Sequence, residues 1–344
     1  MVRRLYFLLI PVVVCGLAAL AAAAAEKKAE RKEITDPEEA KADPDFSIQG
    51  EYLGEYQRDD GTPGKVGTQV IARGGGKFEV VGLPGGLPGA GWKRGDRSYR
   101  TQGELKDGTL TFKTEQGETM QLKFADATMT LLNAEGKKWF TLKRVEQKSP
   151  TLGAKPPKGA LVVFDGTNLE MFEPSKELQK HLTEQKTVFG DVTTKPLPEN
   201  YKLHLEFRLS WMPRAEGQGR SNSGVYIHDC YELQVLDSFG LEGKDNECGG
   251  FYQLKEPDVN MCLPPLVWQT YDIDFTAPKF EGDKKVANAR ITVRHNGVVI
   301  HDKLDLPGLT PGGKLTEGPG PRGIHLQGHG NQVQYRNIWL EEKK

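Results

Sequence analysis

Acid–base chemistry is concentrated in three short stretches of the sequence. In residues 224–236, strand alternation sends Val225 and Ile227 to one face and Tyr226 and His228 to the other. Leu233 and Val235 likewise share a face, which leaves Glu232 and Gln234 opposite. A three-residue loop, Asp229 to Tyr231, pairs His228 with Glu232 and Tyr226 with Gln234, and both apolar faces then match. In residues 268–276, Tyr271, Ile273 and Phe275 point inward, while Trp268, Thr270, Asp272 and Asp274 point outward. In residues 323–329, Ile324 and Leu326 go inward, and His325 and Gln327 go outward. If these strands are neighbours, one sheet presents Tyr226, His228, Glu232, Gln234, Trp268, Asp272, His325 and Gln327 together. Aromatic faces stack on sugar C–H surfaces, and carboxylates and amides bond hydroxyls, so such a sheet suits a glycan. The plainer reading is a solvated outer face, which is polar by default. Glu232 and His325 stand out because both sit mid-strand, where Lys or Thr would serve a plain surface better.

Other chemistries find less support. His325 and His329 are four residues apart, roughly 13 Å along a strand, so they share a metal only if the chain turns at Gly328. A divalent cation stays open on that condition. The sequence contains no nucleophile-elbow serine and no His-Glu-x-x-His pair. The glycine-rich residues 82–91 precede neither a Gly-Lys-Ser/Thr triplet nor a helix, so they read as a surface loop rather than a phosphate cradle.

The elements that must position these residues are almost all strands. Forty glycines and 21 prolines among 344 residues, with few helix-period runs, point to short strands and tight turns. Strand patterns recur at 68–72, 77–83, 109–114, 119–124, 128–132 and 139–145, and predict a β-meander, closed or nearly so, over 46–147. Residues 148–158 carry three prolines and read as a linker. Beyond it, patterns at 161–164, 202–209, 224–228, 232–236, 268–276, 289–295, 298–302, 324–327 and 334–340 predict an all-β, jelly-roll-like sandwich of two sheets over 159–344. His295, Asn296 and Gly297 give a type I′ hairpin signal, and only 175–185 reads as helical. Each half is long enough to bury its own core, so each is expected to fold alone, with any activity in the second.

The N-terminus bears on the compartment. Arg3 and Arg4 precede an apolar run from Leu5 to Leu20, and Ala23 to Ala25 resemble a cleavage site, so residues 1–25 read as an export leader. The rival reading is an uncleaved anchor, since Leu5 to Ala25 is just long enough to span a bilayer. Cys15 follows three valines where a lipidation site needs a small residue. Cleavage predicts a periplasmic or secreted protein with no membrane attachment, and residues 26–45 read as a solvated, disordered linker. The 46 basic and 47 acidic side chains nearly cancel, and no basic stripe suggests nucleic acid. Cys230, Cys248 and Cys262 remain in the mature chain. In an oxidising compartment Cys248 and Cys262 are expected to pair, closing a short loop worth about 3 kcal/mol, with Cys230 left free.

At these residues a family becomes visible. Residues 161–169, Leu-Val-Val-Phe-Asp-Gly-Thr-Asn-Leu, resemble the opening of the 3-keto-disaccharide hydrolase domain. Ordered matches follow at 220–226, 231–240, 248–252, 268–275, 295–297, 326–330 and 336–339. The resemblance covers 159–342 and leaves the N-terminal barrel outside. It implies a concanavalin-A-like sandwich acting on glycosides oxidised at C3 of the sugar. It also adds Arg220, Asn222 and His329 to a substrate-binding set of His228, Gln234, Trp268, Asp272 and Gln327. Where the family carries a tryptophan soon after Asp-Gly, this chain has Glu170, Met171 and Phe172.

A ketone at C3 acidifies the C2 proton, so a base can remove it and the C1 leaving group departs by elimination, with water added later. That chemistry needs one base, one acid and a group to steady an enolate. His325 or Glu232 would be the base, with Tyr226, Arg220 or a bound cation on the enolate. Two rivals stand beside it: a glycan-binding module without catalysis, and an ordinary glycosidase with Glu232 and Asp272 as its carboxylate pair.

Overall fold

A computed structural model describes residues 32–58 and 60–343. The expected leader, 1–25, lies outside the described residues. Two short helices, α1 (Pro37–Ala40) and α2 (Pro44–Ile48), are capped by the side chains of Asp36 and Asp43. Residues 33–45 are therefore not the loose linker that their composition suggested. Ile34 bridges to Trp211, Glu33 accepts from the Ser210 hydroxyl at 2.6 Å, and Asp43 accepts from the Trp211 indole at 3.0 Å.

The first half is a closed antiparallel barrel. Its chain runs β1 (Gly50–Gln57), β2 (Pro63–Gly74), β3 (Lys77–Pro84), the two-residue β4 (Leu87–Pro88) and β5 (Gly91–Trp92), then β6 (Tyr99–Lys106), β7 (Thr109–Lys113), β8 (Thr119–Ala125), β9 (Thr128–Asn133) and β10 (Lys138–Val145). The barrel order is β1-β10-β9-β8-β7-β6-β3-β2, which removes every free sheet edge. Its interior takes alternate residues, among them Tyr52, Val70, Phe78, Leu122 and Leu142.

The second half comprises β11 (Leu161–Phe164), β12 (Val188–Phe189), β13 (Val192–Thr193), β14 (Tyr201–Arg208), β15 (Ser223–Ile227), β16 (Tyr231–Val235), β17 (Trp268–Thr276), β18 (Lys279–Glu281), β19 (Lys284–Ala287), β20 (Ala289–His295), β21 (Val298–Leu306), β22 (His325–Leu326) and β23 (Gln334–Glu342). A seven-stranded sheet, β11-β23-β14-β17-β20-β21 with β12 beside β23, packs on a four-stranded sheet, β13-β22-β15-β16. Leu205, Phe207, Tyr271, Ile273 and Val293 from the first sheet meet Val225, Ile227, Leu233 and Leu326 from the second. Asn296 and Gly297 both have positive φ, as the type I′ hairpin requires. The expected helix at 175–185 shrinks to a single 3₁₀ turn, Leu178–His181, without a side-chain cap.

Each half has its own core cluster, as its length suggests, but neither cluster is built from one half alone. The β2–β3 hairpin buries both its faces: Val70, Ala72, Phe78 and Val80 fill the barrel, while Ile71, Val81 and Leu83 join the sandwich core. The loop after β3 also docks. Leu87 is buried in the sandwich core, and a Cβ on Gly89 would meet Met261 at 2.8 Å. The glycines of this loop serve close approach: a Cβ on Gly91 would come within 2.2 Å of the Gly85 carbonyl oxygen.

The proline-bearing linker is likewise fastened, along the outer face of the seven-stranded sheet. Ser149 bonds Thr270 at 2.6 Å, Thr151 donates to Asp272 at 2.6 Å, and the Gly153 amide donates to Glu206 at 2.6 Å.

Among the described residues the three cysteines, Cys230, Cys248 and Cys262, are free, so the expected Cys248–Cys262 bridge is corrected. Both side chains are buried in the core. Cys248 also meets the Tyr271 hydroxyl at 3.2 Å, and Cys262 donates toward the Leu236 carbonyl at 3.6 Å. Burial pushes the Cys262 thiol well above its ordinary value and that of Cys230 up to about 12.

Candidate active site

The four-stranded sheet turns one face away from the core, and the chemistry gathers there. Pairing places Thr193 opposite His325, His325 opposite Tyr226, and Tyr226 opposite Glu232. One row therefore crosses β13, β22, β15 and β16 with all four side chains on the same face. The sequence-derived hairpin register needs a shift of two residues. Glu232 pairs with Tyr226 rather than His228, and Gln234 with Gly224 rather than Tyr226. The loop is His228-Asp229-Cys230, tightened by positive φ at His228 and Asp229 and a Cys230 amide bond to the Ile227 carbonyl at 3.2 Å. A shift of two preserves the faces, so Glu232 and Tyr226 remain on the side expected.

The row is recessed rather than flat. Glu232 is 4% exposed, His325 3% and Tyr226 1%. The segment after β21 forms the wall. Thr310 accepts the Glu232 amide at 2.7 Å, and Gly312 lies so close that a Cβ there would be 2.6 Å from the Tyr226 hydroxyl. Lys314 approaches Asp191 at 3.3 Å and Thr193 at 3.4 Å. Gln327 donates to the Tyr226 hydroxyl at 3.2 Å.

Electrostatics separate the roles. Burial without any countercharge raises the Glu232 carboxyl to about 7, and only a hydrogen bond from Tyr226 opposes the rise. Burial, reinforced by Lys314, lowers His325 to about 4, against the pull of Asp191. Its Nε2 lies 3.1 Å from Asp191 and its Nδ1 3.0 Å from Thr193. Burial and the neighbouring Glu232 raise the Tyr226 phenol. Near pH 7 the row thus holds a half-ionised carboxyl, a protonated phenol and a neutral imidazole. A carboxyl poised near neutrality suits proton transfer.

Of the residues expected from sequence, the structure gathers Tyr226, Glu232, His325 and Gln327 in this row. Gln234, Asn222 and His329 form a second tier around Gln218. Gln234 donates to Gln218 at 3.2 Å, Asn222 donates to the Gln218 carbonyl at 2.8 Å, and its Nδ2 lies 3.4 Å from His329.

Four expected site residues lie elsewhere. His228 occupies the turn, and its ring packs 5.5 Å from Phe275, plugging the end of the core. Trp268 and Asp272 belong to β17 in the seven-stranded sheet, whose outer face is the opposite side of the sandwich. There the Trp268 ring is covered by the guanidinium groups of Arg336 at 3.8 Å and Arg208 at 4.8 Å. Asp272 is bonded by His204 at 2.7 Å and by Thr151. The proposed pairing of Glu232 with Asp272 as facing carboxylates is therefore excluded, because a core layer separates them. Arg220 bonds Asp237 and reaches the Ala72 carbonyl of the barrel at 3.2 Å, so it ties the halves together instead of meeting a sugar.

Asp191, Thr193, Lys314 and Gln218 were not foreseen. Asp191, Lys314 and Gln218 lie in loops or a short 3₁₀ turn, and Thr193 ends a two-residue strand, so no periodicity marks them. Among the described residues, no three His, Cys, Asp or Glu side chains gather as metal ligands.

Known proteins resemble the second half of the chain. Residues 159–341 match the family model described as a 3-keto-alpha-glucoside-1,2-lyase-like domain. No curated protein matches the chain. Among solved structures, two proteins of Parabacteroides distasonis ATCC 8503, each described as a "putative glycosyl hydrolase", are similar over 54% of this chain. One is 29% identical, with 84% of its own length covered and a TM-score of 0.47. The other is 13% identical, with 95% covered and a TM-score of 0.42. The family match spans more than half of the sequence and contains the whole Thr193–His325–Tyr226–Glu232 row: the chain belongs to the 3-keto-α-glucoside-1,2-lyase-like domain family, a carbohydrate-active, glycosyl-hydrolase-like group.

Proposed function

We propose that the protein cleaves 3-keto-glycosides, including 3-keto-disaccharides, by abstraction of the C2 proton and elimination at C1. The observation that carries this reading is the Glu232 carboxyl, buried, without a countercharge and poised at about 7 beside a phenol. Adjacent strands lie about 4.8 Å apart, so the backbones of Glu232 and His325 stand roughly 10 Å apart with Tyr226 between them.

Glu232 takes the C2 proton, and the C–H electrons move into an enolate whose charge settles on O3. Tyr226 donates its hydroxyl hydrogen bond toward that oxygen. As the C3 ketone re-forms, the electrons make a C1=C2 double bond and the C1–O bond breaks. The departing oxygen takes the proton that Glu232 gained from C2, which leaves Glu232 ionised again, while the neutral His325 imidazole, fixed by Asp191 and Thr193, holds the other end of the sugar. Water then adds at C1 and a proton returns to C2, which completes net hydrolysis. No second facing carboxylate is required. The expected setting is outside the cytoplasm, periplasmic or secreted, on the strength of the leader in residues 1–25.

The test compares a 3-keto-disaccharide with its unoxidised parent, using the protein and its Glu232→Gln variant. Cleavage of the keto sugar alone, lost in the variant, is the expected result. Cleavage of both sugars would overturn the reading, and so would binding of the keto sugar without turnover.

A further inference from the structure

We propose that the N-terminal barrel is a binding site for one small, neutral, ring-bearing apolar molecule, held in the half of the barrel that its own side chains leave unfilled. Eight strands enclose a space that side chains can just fill, or that can hold one small ligand. Both outcomes occur here, at opposite ends. At one end Tyr52, Phe78 and Leu142 pack a core capped by Ile34, Ala40 and Trp211. At the other end the inward positions turn small: Thr68 on β2, Gly82 on β3 and Thr101 on β6 line a cavity of about 430 Å³. That volume falls within the range of small-molecule pockets. A Cβ on Gly82 would meet nothing closer than 3.8 Å, so the space beside it is open.

The chemistry of the wall defines the occupant. Val66, Val80, Met120, Leu122, Met129 and Leu131 supply the apolar body. Ring faces come from Tyr56, Phe112 and Phe140, and the rim carries Tyr99 and Trp139. Trp139 sits where the β9–β10 register shifts, between Lys138 and Phe140. Such an irregularity re-aims a side chain, and Trp139 is left 58% exposed at the mouth. With the exposed Tyr99 at the same opening, it gives the mouth an aromatic rim. Charge does not recommend an ion: Arg100, beside the cavity, turns its guanidinium to the outer face of the barrel, where it meets Glu79 and the Gly240 carbonyl at 2.7 Å. Lys113 is balanced by Glu115 and Glu118 around the same opening. A wall of this kind accepts a neutral fused-ring or aryl molecule and gives little to a free sugar, whose hydroxyls would lose their water unmatched.

The experiment titrates the full chain with N-phenyl-1-naphthylamine, a neutral fused-ring dye. The dye should brighten and saturate at one equivalent. Filling the space with the double substitution Gly82→Val and Thr101→Leu should weaken binding by about tenfold or more while the melting temperature holds or rises. Trp139→Ala, at an exposed position that folding does not need, should weaken it several-fold and keeps the test valid if the filled barrel fails to fold. Absence of saturable binding, more than one equivalent bound, or equal affinity in a folded filled variant would each overturn the proposal. Displacement of the dye by millimolar maltose would overturn the ligand class. A concentration-dependent dimer that excludes the dye would assign the mouth to a second copy instead. None of these outcomes depends on the chemistry proposed for Glu232.

Discussion

Glu232 and Glu206 are the same residue type, equally hidden, on opposite outer faces of one sandwich, and their acidities diverge in opposite directions. Glu206 is 1% exposed and Glu232 4%. On the seven-stranded side, burial opposes ionisation of Glu206. Bonds from His204, Asn337, Gly153 and Arg336 overcome it and hold the carboxyl at about 2. On the four-stranded side, Glu232 has only the Tyr226 hydroxyl and rises to about 7. Desolvation is common to both, so the partners decide the sign. A buried carboxylate with a full set of donors is a fastening, here for the linker at Gly153. A buried carboxyl denied them is a poised proton acceptor.

The comparison is sharpest in turnover. Glu232→Gln should lower the rate on a 3-keto-disaccharide by about 10²–10⁴-fold, measured at saturating substrate. Glu206→Gln should leave it within a few-fold, and a comparable loss in both would dissolve the distinction. The wild-type rate should rise with pH through about 7, since the base must be ionised, and the residual rate of Glu232→Gln should lack that limb.

Stability should divide the other way. The folded-state pKa of Glu206 lies below its ordinary value of 4.5, so its contribution is present above pH 4.5 and is lost as pH falls toward 2. Glu206→Gln should cost roughly 3 kcal/mol at pH 7 and flatten the acid limb of denaturant-measured stability. The folded-state pKa of Glu232 lies above 4.5, so stability is highest below that pH and falls as pH rises through about 7. Glu232→Gln should therefore raise the melting temperature at pH 8, and a lower one would place Glu232 among the fastenings. The smallest effect concerns the core between the faces. With Cys248 and Cys262 reduced, added reductant should leave the melting temperature unmoved. A bridge worth about 3 kcal/mol would make it fall by several degrees.

Much of this was legible from alternation. The face of Glu232 survived a register error because the error was two residues, and a period of two conceals it. The turn was harder: His228 and Asp229 both adopt positive φ, which asparagine or glycine would have advertised and these residues do not. Trp268 and Asp272 were read correctly as outward-facing, but outward from the wrong sheet. Alternation says which way a side chain points and is silent on which layer its strand joins. β6 escaped notice because its inward positions Tyr99, Thr101, Gly103 and Leu105 carry too little apolar character. The docking of the β2–β3 hairpin was partly written in its sequence, since Ile71, Val81 and Leu83 put apolar side chains on the face opposite Val70, Phe78 and Val80, a pattern belonging to a strand covered twice.

One hydrogen bond joins nearly the two ends of the described chain: the Gln332 amide donates to Glu33 at 2.7 Å across 299 residues. With Ile34 held by Trp211, the first described segment finds its partners only after most of the polypeptide exists. During synthesis at roughly 5–20 residues per second, that segment waits many seconds beside an unfinished barrel. Closure of so distant a contact places it among the slow, late events of folding. Assembly should therefore end, rather than begin, at the N-terminus, and amide protection around Ile34 should be the last to appear in a refolding time course.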